Sequence, residues 1–218
     1  MEKGTRYRRQ PDPDLSRMEI MKGAARCFQE RGYAATSIDT VAARIGSTKG
    51  RIYHHYSSKA DLFFDVYRTG MEMNFAAIDP FLTSGLASAD KLNAMIKAHV
   101  LSMIRTQPFQ RVVWEGVSMF RQNALPDAEH RQLGELAELR HSYAEKFAEI
   151  MDAAKAEGTL SFDHLRVALN TLFMAANGPV FWYSPRDGQT DKDIEDIAEE
   201  CARYAMRALD YQPGGRPG

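Results

Sequence analysis

Apolar positions in this 218-residue chain recur at intervals of three and four, which predicts an all-α protein. Leu15, Met18, Met21, Ala25 and Phe28 trace one face of a first helix, from about Asp14 to Glu30, which Gly32 stops. Ile38, Val41, Ala42 and Ile45 mark the buried face of a second, with Thr36 as its N-cap and Asp39 completing a capping box. Gly46 then supplies the left-handed residue that ends it, and Thr48 caps a third helix of about two turns through His55. Ser58 and Asp61 form another capping box, and Leu62, Phe63, Val66, Tyr67 and Met71 carry a fourth helix towards Pro80. Beyond the Ser84-Gly85 break the punctuation predicts helices over about 89–105, from Pro108 to Arg121, and from Pro126 to Glu157. The last of these places Leu136, Tyr143, Phe147, Ile150 and Ala154 inward and stops at Gly158. Two more follow, from about Phe162 to Trp182 and from Asp191 to Leu209, and the remainder contains no strand pattern. Residues 1–13 read as a flexible basic arm closed by Pro11-Asp12-Pro13, and 212–218 as a disordered tail.

Chemistry concentrates between Thr36 and Lys59. Two short helices joined at Gly46 make a helix-turn-helix, whose second helix enters a DNA major groove N-terminus first. Thr48 and the free amides beside Lys49 can bond a phosphate, Gly50 lets backbone approach backbone, and Arg51 can reach the O6/N7 edge of guanine. Tyr53, His54, His55 and Lys59 are donors at the rim, suited to phosphates, so they position the helix and leave base reading to Arg51. Ile52 and Tyr56 are core residues of the same segment.

Charge sharpens this picture. The formal net charge is −1, yet residues 1–60 carry 12 Lys and Arg against 6 Asp and Glu, and residues 61–218 carry 16 against 23. A basic head on an acidic body suits a polyanion bound at one end, and the arm adds electrostatic affinity along phosphates or in the minor groove. The apolar runs are far shorter than a membrane span and the basic N-terminus has no apolar leader, so the expected location is the cytoplasm. Cys27 and Cys201 belong to no Cys or His cluster and read as reduced helix residues. The six His assemble no H-E-x-x-H, G-x-S-x-G or Walker pattern, and His130 and His141 lie roughly 16 Å apart along a helix, too far for one metal. Neither an enzyme, nor a metal site, nor a cofactor is expected.

The segment from about Asp14 to Arg68 resembles the DNA-binding domain of TetR/AcrR-type transcriptional regulators. The resemblance rests on Phe28, Gly32, Tyr33, Thr36, Ser37, Val41, Ala42, Gly46, Thr48, Gly50, Ile52, Tyr53, His55, Tyr56, Ser58, Lys59 and Leu62. Ser47 departs from it, because the family usually places an apolar residue there. The resemblance implies a homodimeric repressor that leaves its operator when a small molecule binds the C-terminal domain. It adds Thr36 and Ser37 to the DNA-contacting candidates, and divides the chain into a DNA-binding domain over 14–60 and an effector and dimerisation domain over 61–211. It also implies a dimer interface on the last two helices, where Ala168, Leu172, Ala175, Ala176 and Pro179 make a small-residue face and Ile194, Ile197, Cys201, Tyr204, Ala205 and Ala208 a broad stripe. Candidate pocket residues are Met95, His99, Met103, Trp114, Val117, Met119, Phe120, Tyr143, Phe147, Phe173, Met174, Asn177, Phe181 and Trp182, a Met-rich and aromatic set suited to a hydrophobic effector. Trp182-Tyr183-Ser184-Pro185 is similar to a segment in family members that respond to acyl-CoA thioesters. The alternative is an architectural DNA binder or an adaptor without an effector.

Overall fold

The computed structural model describes residues 13–122 and 126–210, so the basic arm up to residue 12 and the 212–218 tail lie outside the described residues. Among the described residues the chain forms ten helices and no strand. They are α1 (Pro13–Ala35), α2 (Ile38–Arg44), α3 (Lys49–His55), α4 (Lys59–Leu82), α5 (Ser88–Arg105), α6 (Gln107–Arg121), α7 (Asp127–Ala156), α8 (Leu165–Asn177), α9 (Pro179–Trp182) and α10 (Asp191–Ala208). The long α4 is the spine: α1, α5, α6 and α7 all pack on it, and α8 and α10 pack on each other and on α5.

Around the helix-turn-helix the expected buried faces are in place, with Ala25, Phe28, Val41, Ile52, Leu62 and Phe63 at 0 or 1 % exposure. Three local features differ from the sequence reading. Helical structure continues beyond Gly32 to Ala35, but Gly32 itself has φ 75° and ψ 168°, so the run is kinked there. Glycine reaches that conformation without a Cβ clash. The N-cap of α2 is Ser37, whose hydroxyl accepts the Thr40 N–H at 3.1 Å, instead of Thr36. Thr36 is buried, its Oγ1 lying 2.8 Å from the Gly32 carbonyl and 3.1 Å from that of Cys27, so its hydroxyl fastens the kink and is unavailable as a cap. The single helix expected over Phe162–Trp182 is two, because Pro179 brings no N–H and a new short turn, α9, begins there.

A polar network that the sequence reading did not find ties α4, α5 and α6 together. Asn74 donates to Gln110 Oε1 at 2.9 Å and accepts from Ser102 Oγ at 2.8 Å. Gln110 in turn donates to the Gly70 carbonyl at 3.1 Å and to Thr106 Oγ1 at 2.9 Å. All three of Asn74, Ser102 and Gln110 are buried, and each has hydrogen-bond partners in the network, which fixes the register of the three helices.

Candidate nucleic-acid interface

The presented surface begins with the turn. Gly46 takes φ 61°, its N–H bonding Ala43 O and the Ser47 N–H bonding Ala42 O, and the chain reverses into α3. Thr48 is extended and its hydroxyl accepts the Arg51 N–H at 3.3 Å, as a helix cap does. Ile52 at 0 % and Tyr56 at 6 % exposure anchor α3, leaving Thr48, Lys49, Gly50, Tyr53 and His54 exposed and Arg51 and His55 half-exposed. A Cβ on Gly50 would meet only Thr48 Oγ1, at 3.8 Å, so no internal contact demands glycine there. Ser37 is exposed at the start of α2, while the burial of Thr36 removes that residue from any surface a duplex could touch.

The exposed cations are accompanied. Arg51 Nη2 lies 3.0 Å from Glu19 of α1, Lys49 Nζ 3.5 Å from Asp39 of α2, and Arg44 pairs with Glu30. Beneath them a brace holds α3 to its neighbours. Arg17 binds Asp65 through Nε at 3.0 Å and Nη2 at 2.6 Å, and the Tyr56 hydroxyl donates to Asp65 Oδ2 at 2.6 Å. Burial, followed by the Asp65 bond, pushes the Tyr56 phenol well above its ordinary value, so it stays a donor.

Lys59 differs from the sequence expectation. Its ammonium points inward, donating to the Tyr33 carbonyl at 2.8 Å and standing 4.2 Å from the Tyr33 ring centroid. Tyr33 N–H donates to Glu115 Oε1 of α6 at 2.5 Å, so the kink of α1 is gripped from the head by Lys59 and from the body by Glu115. Burial raises the Glu115 pKa, an effect that the Tyr33 N–H and Lys59 offset in part, and burial pushes the Tyr33 phenol up to about 12. Sequence spacing carried no signal for a contact between residues so far apart.

The pocket candidates separate into groups. His99, Tyr143, Phe147, Phe173 and Asn177 converge: His99 Nδ1 lies 2.9 Å from the Tyr143 hydroxyl and Nε2 lies 3.0 Å from Asn177 Oδ1. Asn177 Oδ1 only accepts, so Nε2 carries the proton and Nδ1 accepts from Tyr143. Phe147 and Phe173 stand edge-on to the imidazole, at centroid distances of 6.1 and 5.6 Å. Burial lowers the His99 pKa to about 4, so it is neutral at neutral pH, and Tyr143 is raised by the same cause. Met95 and Met103 are buried on α5 with His99. Trp114 instead meets Phe181 at 5.2 Å, and Phe120 stacks on His130 at 4.7 Å. Val117 is half-buried on α6, and Trp182 is 57 % exposed.

The two interface stripes also divide. Ala168, Leu172, Ala176, Pro179 and Ala205 are buried within this chain, so the small-residue face read from spacing packs largely against the chain's own helices. Ala175, Tyr204 and Ala208 are exposed, with Ile194, Ile197 and Cys201 at partial exposure. The same helices expose Val167, which lies outside both stripes, and the pocket candidate Met174, which is 69 % exposed. Among the described residues no group of three His, Cys, Asp or Glu could hold a metal ion, and no helix is long and apolar enough to cross a membrane.

Comparison with known proteins finds matches over two stretches of the chain. Residues 20–66 match the family described as bacterial regulatory proteins, tetR family, and residues 85–209 match the tetracyclin repressor-like C-terminal domain. Over 194 residues the chain is 24% identical to the HTH-type transcriptional repressor KstR2 of Rhodococcus jostii, covering 88% of this chain and 90% of that one. The fold matches the ketosteroid transcriptional regulator KstR2 of Mycobacterium tuberculosis with a TM-score of 0.75 at 18% identity, over 88% of this chain and 94% of that one. It matches AibR, solved in complex with isovaleryl coenzyme A and operator DNA, with a TM-score of 0.69 at 19% identity, over 90% of this chain and 100% of that one. With its head and most of its body each matching the corresponding family description, the chain belongs to the TetR family of bacterial helix-turn-helix transcriptional regulators.

Proposed function

We propose that this protein is a ligand-responsive repressor that occupies a palindromic double-stranded DNA operator in the cytoplasm as a homodimer. A DNA-binding domain over residues 14–60 reads the operator, and a domain over 61–211 dimerises and binds the effector. The observation that carries this reading is α3, a Thr48-capped helix seated on Ile52 and Tyr56 that turns Lys49, Arg51, Tyr53 and His54 outward. Arg51 reads a guanine edge, and the exposed donors with Ser37 hold phosphates. The second copy covers the exposed apolar residues of α8 and α10, Val167, Met174 and Tyr204 among them, setting two α3 helices roughly 34 Å apart, one turn of DNA.

The effector is a hydrophobic molecule, an acyl-CoA or an aromatic compound, received at the His99–Tyr143–Asn177 group. Its support is the polar centre inside an aromatic cage and the acyl-CoA bound by AibR. Binding there favours a head spacing that no longer fits the operator.

Selection of genomic fragments on purified protein at physiological salt tests the regulator. A palindromic motif with half-sites one helical turn apart is expected, and binding that tracks salt with no enriched sequence overturns it in favour of an architectural role. Thermal shift with a panel of CoA thioesters and fatty acids tests the effector class, and no shift with any of them removes the acyl version.

A further inference from the structure

A cleft of ≈ 380 Å³ opens where α1 meets the body, walled by Phe28 and Gly32 of α1, Arg111, Trp114 and Glu115 of α6, and Phe181 of α9. That size falls within the range of small-molecule sites. Arg111 and Glu115 are one helical turn apart on α6, the spacing at which such a pair can meet. Here Glu115 accepts the Tyr33 N–H instead, and its charge is further met by Lys59. Arg111 is therefore left without its carboxylate. Among the described residues its Nε has no hydrogen-bond partner and Nη2 makes only a long 3.4 Å contact with the Phe181 carbonyl, while the guanidinium lies 5.0 Å over the Phe181 ring. A guanidinium offers five N–H donors in a fork that matches a carboxylate, so most of this one's capacity is unspent. Beside it, Trp114 and the 51 % exposed Phe181 meet edge to face at 5.2 Å, making an aromatic wall open to solvent.

We propose that this cleft is a small-molecule site separate from the His99 group, taking an aromatic carboxylate whose oxygens pair with Arg111 and whose ring lies against Trp114 and Phe181. The occupant touches α1 of the head and α6 of the body at once, so it biases the angle between them. That consequence for DNA rests on the regulatory reading above, whereas the site itself does not.

The chain has two tryptophans, and Trp182 is exposed, so Trp182→Phe leaves Trp114 as the sole emitter. Titration of this variant with phenylacetate and 3-phenylpropionate is expected to change Trp114 emission saturably. The neutral phenylacetamide should bind about tenfold more weakly or worse, and Arg111→Gln should impose a similar loss that Arg111→Lys recovers in part. No saturable change with either acid in protein of native circular dichroism overturns the site, as does equal binding of acid and amide, or binding indifferent to Arg111→Gln. An absence of operator binding in the parent protein would remove the regulatory reading while leaving these titrations intact.

Discussion

The outer face of α2 and α3 and the His99 group both place polar side chains beside partners from other helices, with opposite solvent exposure. On the head, Lys49 and Asp39 keep side-chain exposures of 63% and 73% at a separation of 3.5 Å. An ion pair so wet is worth about 0–1 kcal/mol and is easily exchanged for another. In the body, His99 is 2 % exposed and both its ring nitrogens are bonded inside a ring of aromatics. Breaking one of those bonds strands a buried polar atom at a cost of about 1–3 kcal/mol. The head's outer face is thus held by contacts that cost little to lose, and the His99 group by contacts that cost a great deal and that an entering effector must replace.

The largest effect expected from this contrast is at Phe147, which is fully buried and packs on Tyr143 and Phe173 at 5.4 and 5.0 Å. Phe147→Ala should cost about 3–5 kcal/mol in urea unfolding, and a loss below about 1 kcal/mol would mean the cage is not rigid. Next comes pH. His99 has a folded pKa of about 4, below its ordinary 6.5, so the unfolded chain takes up a proton first as pH falls. The stability tied to the neutral imidazole is whole above pH 6.5, declines towards pH 4 and is gone below it, amounting to about 2 kcal/mol between pH 7 and pH 5. Unfolding of wild type and His99→Gln at both pH values checks this, since the variant should lack that increment. Arg51→Ala should then weaken binding to a selected operator by about 1–3 kcal/mol and relax one base position. Its thermal stability should move by no more than about 0.5 kcal/mol, as befits an exchangeable contact. Smallest is Lys59→Ala, expected to cost about 1 kcal/mol of stability through the lost bond to the Tyr33 carbonyl. If it instead weakened every DNA sequence alike and left stability untouched, Lys59 would belong to the outer face.

What could be read from the sequence follows the same line. Turn and cap chemistry is local, so Gly46, Thr48 and Ser58 announced α2, α3 and α4, and Ile52 and Tyr56 were recognisable as anchors. The capping residue of α2 was displaced by one position because Thr36 and Ser37 are both competent caps, and only the carbonyls of Cys27 and Gly32 decide between them. Lys59 looked like a phosphate ligand because a lysine at a helix start usually faces water, and nothing near it in sequence revealed the Tyr33 carbonyl 26 residues away. The Asn74–Ser102–Gln110 network and the Glu115 grip on α1 join residues 28 to 82 positions apart, and periodicity within one helix carries no information about them. Small residues on α8 were visible, but which side of that helix faces α5 and α10 is settled by packing, which is why Ala168 and Leu172 are covered while Val167 and Met174 are bare.

The acids that accompany the head's cations also alter how DNA affinity answers to salt. When a lysine or arginine taken from water settles on a phosphate, a condensed counterion is set free, and each such contact adds about 0.9 to the slope of log affinity against log salt. In the proposed complex Lys49 comes to its phosphate from Asp39, and Arg51 to its guanine from Glu19. A carboxylate abandoned in that exchange gathers sodium or potassium ions from solution, which cancels part of what the duplex releases. Binding by this head is then closer to ion exchange than to simple neutralisation, and its affinity should fall less steeply with salt than a count of its phosphate contacts suggests.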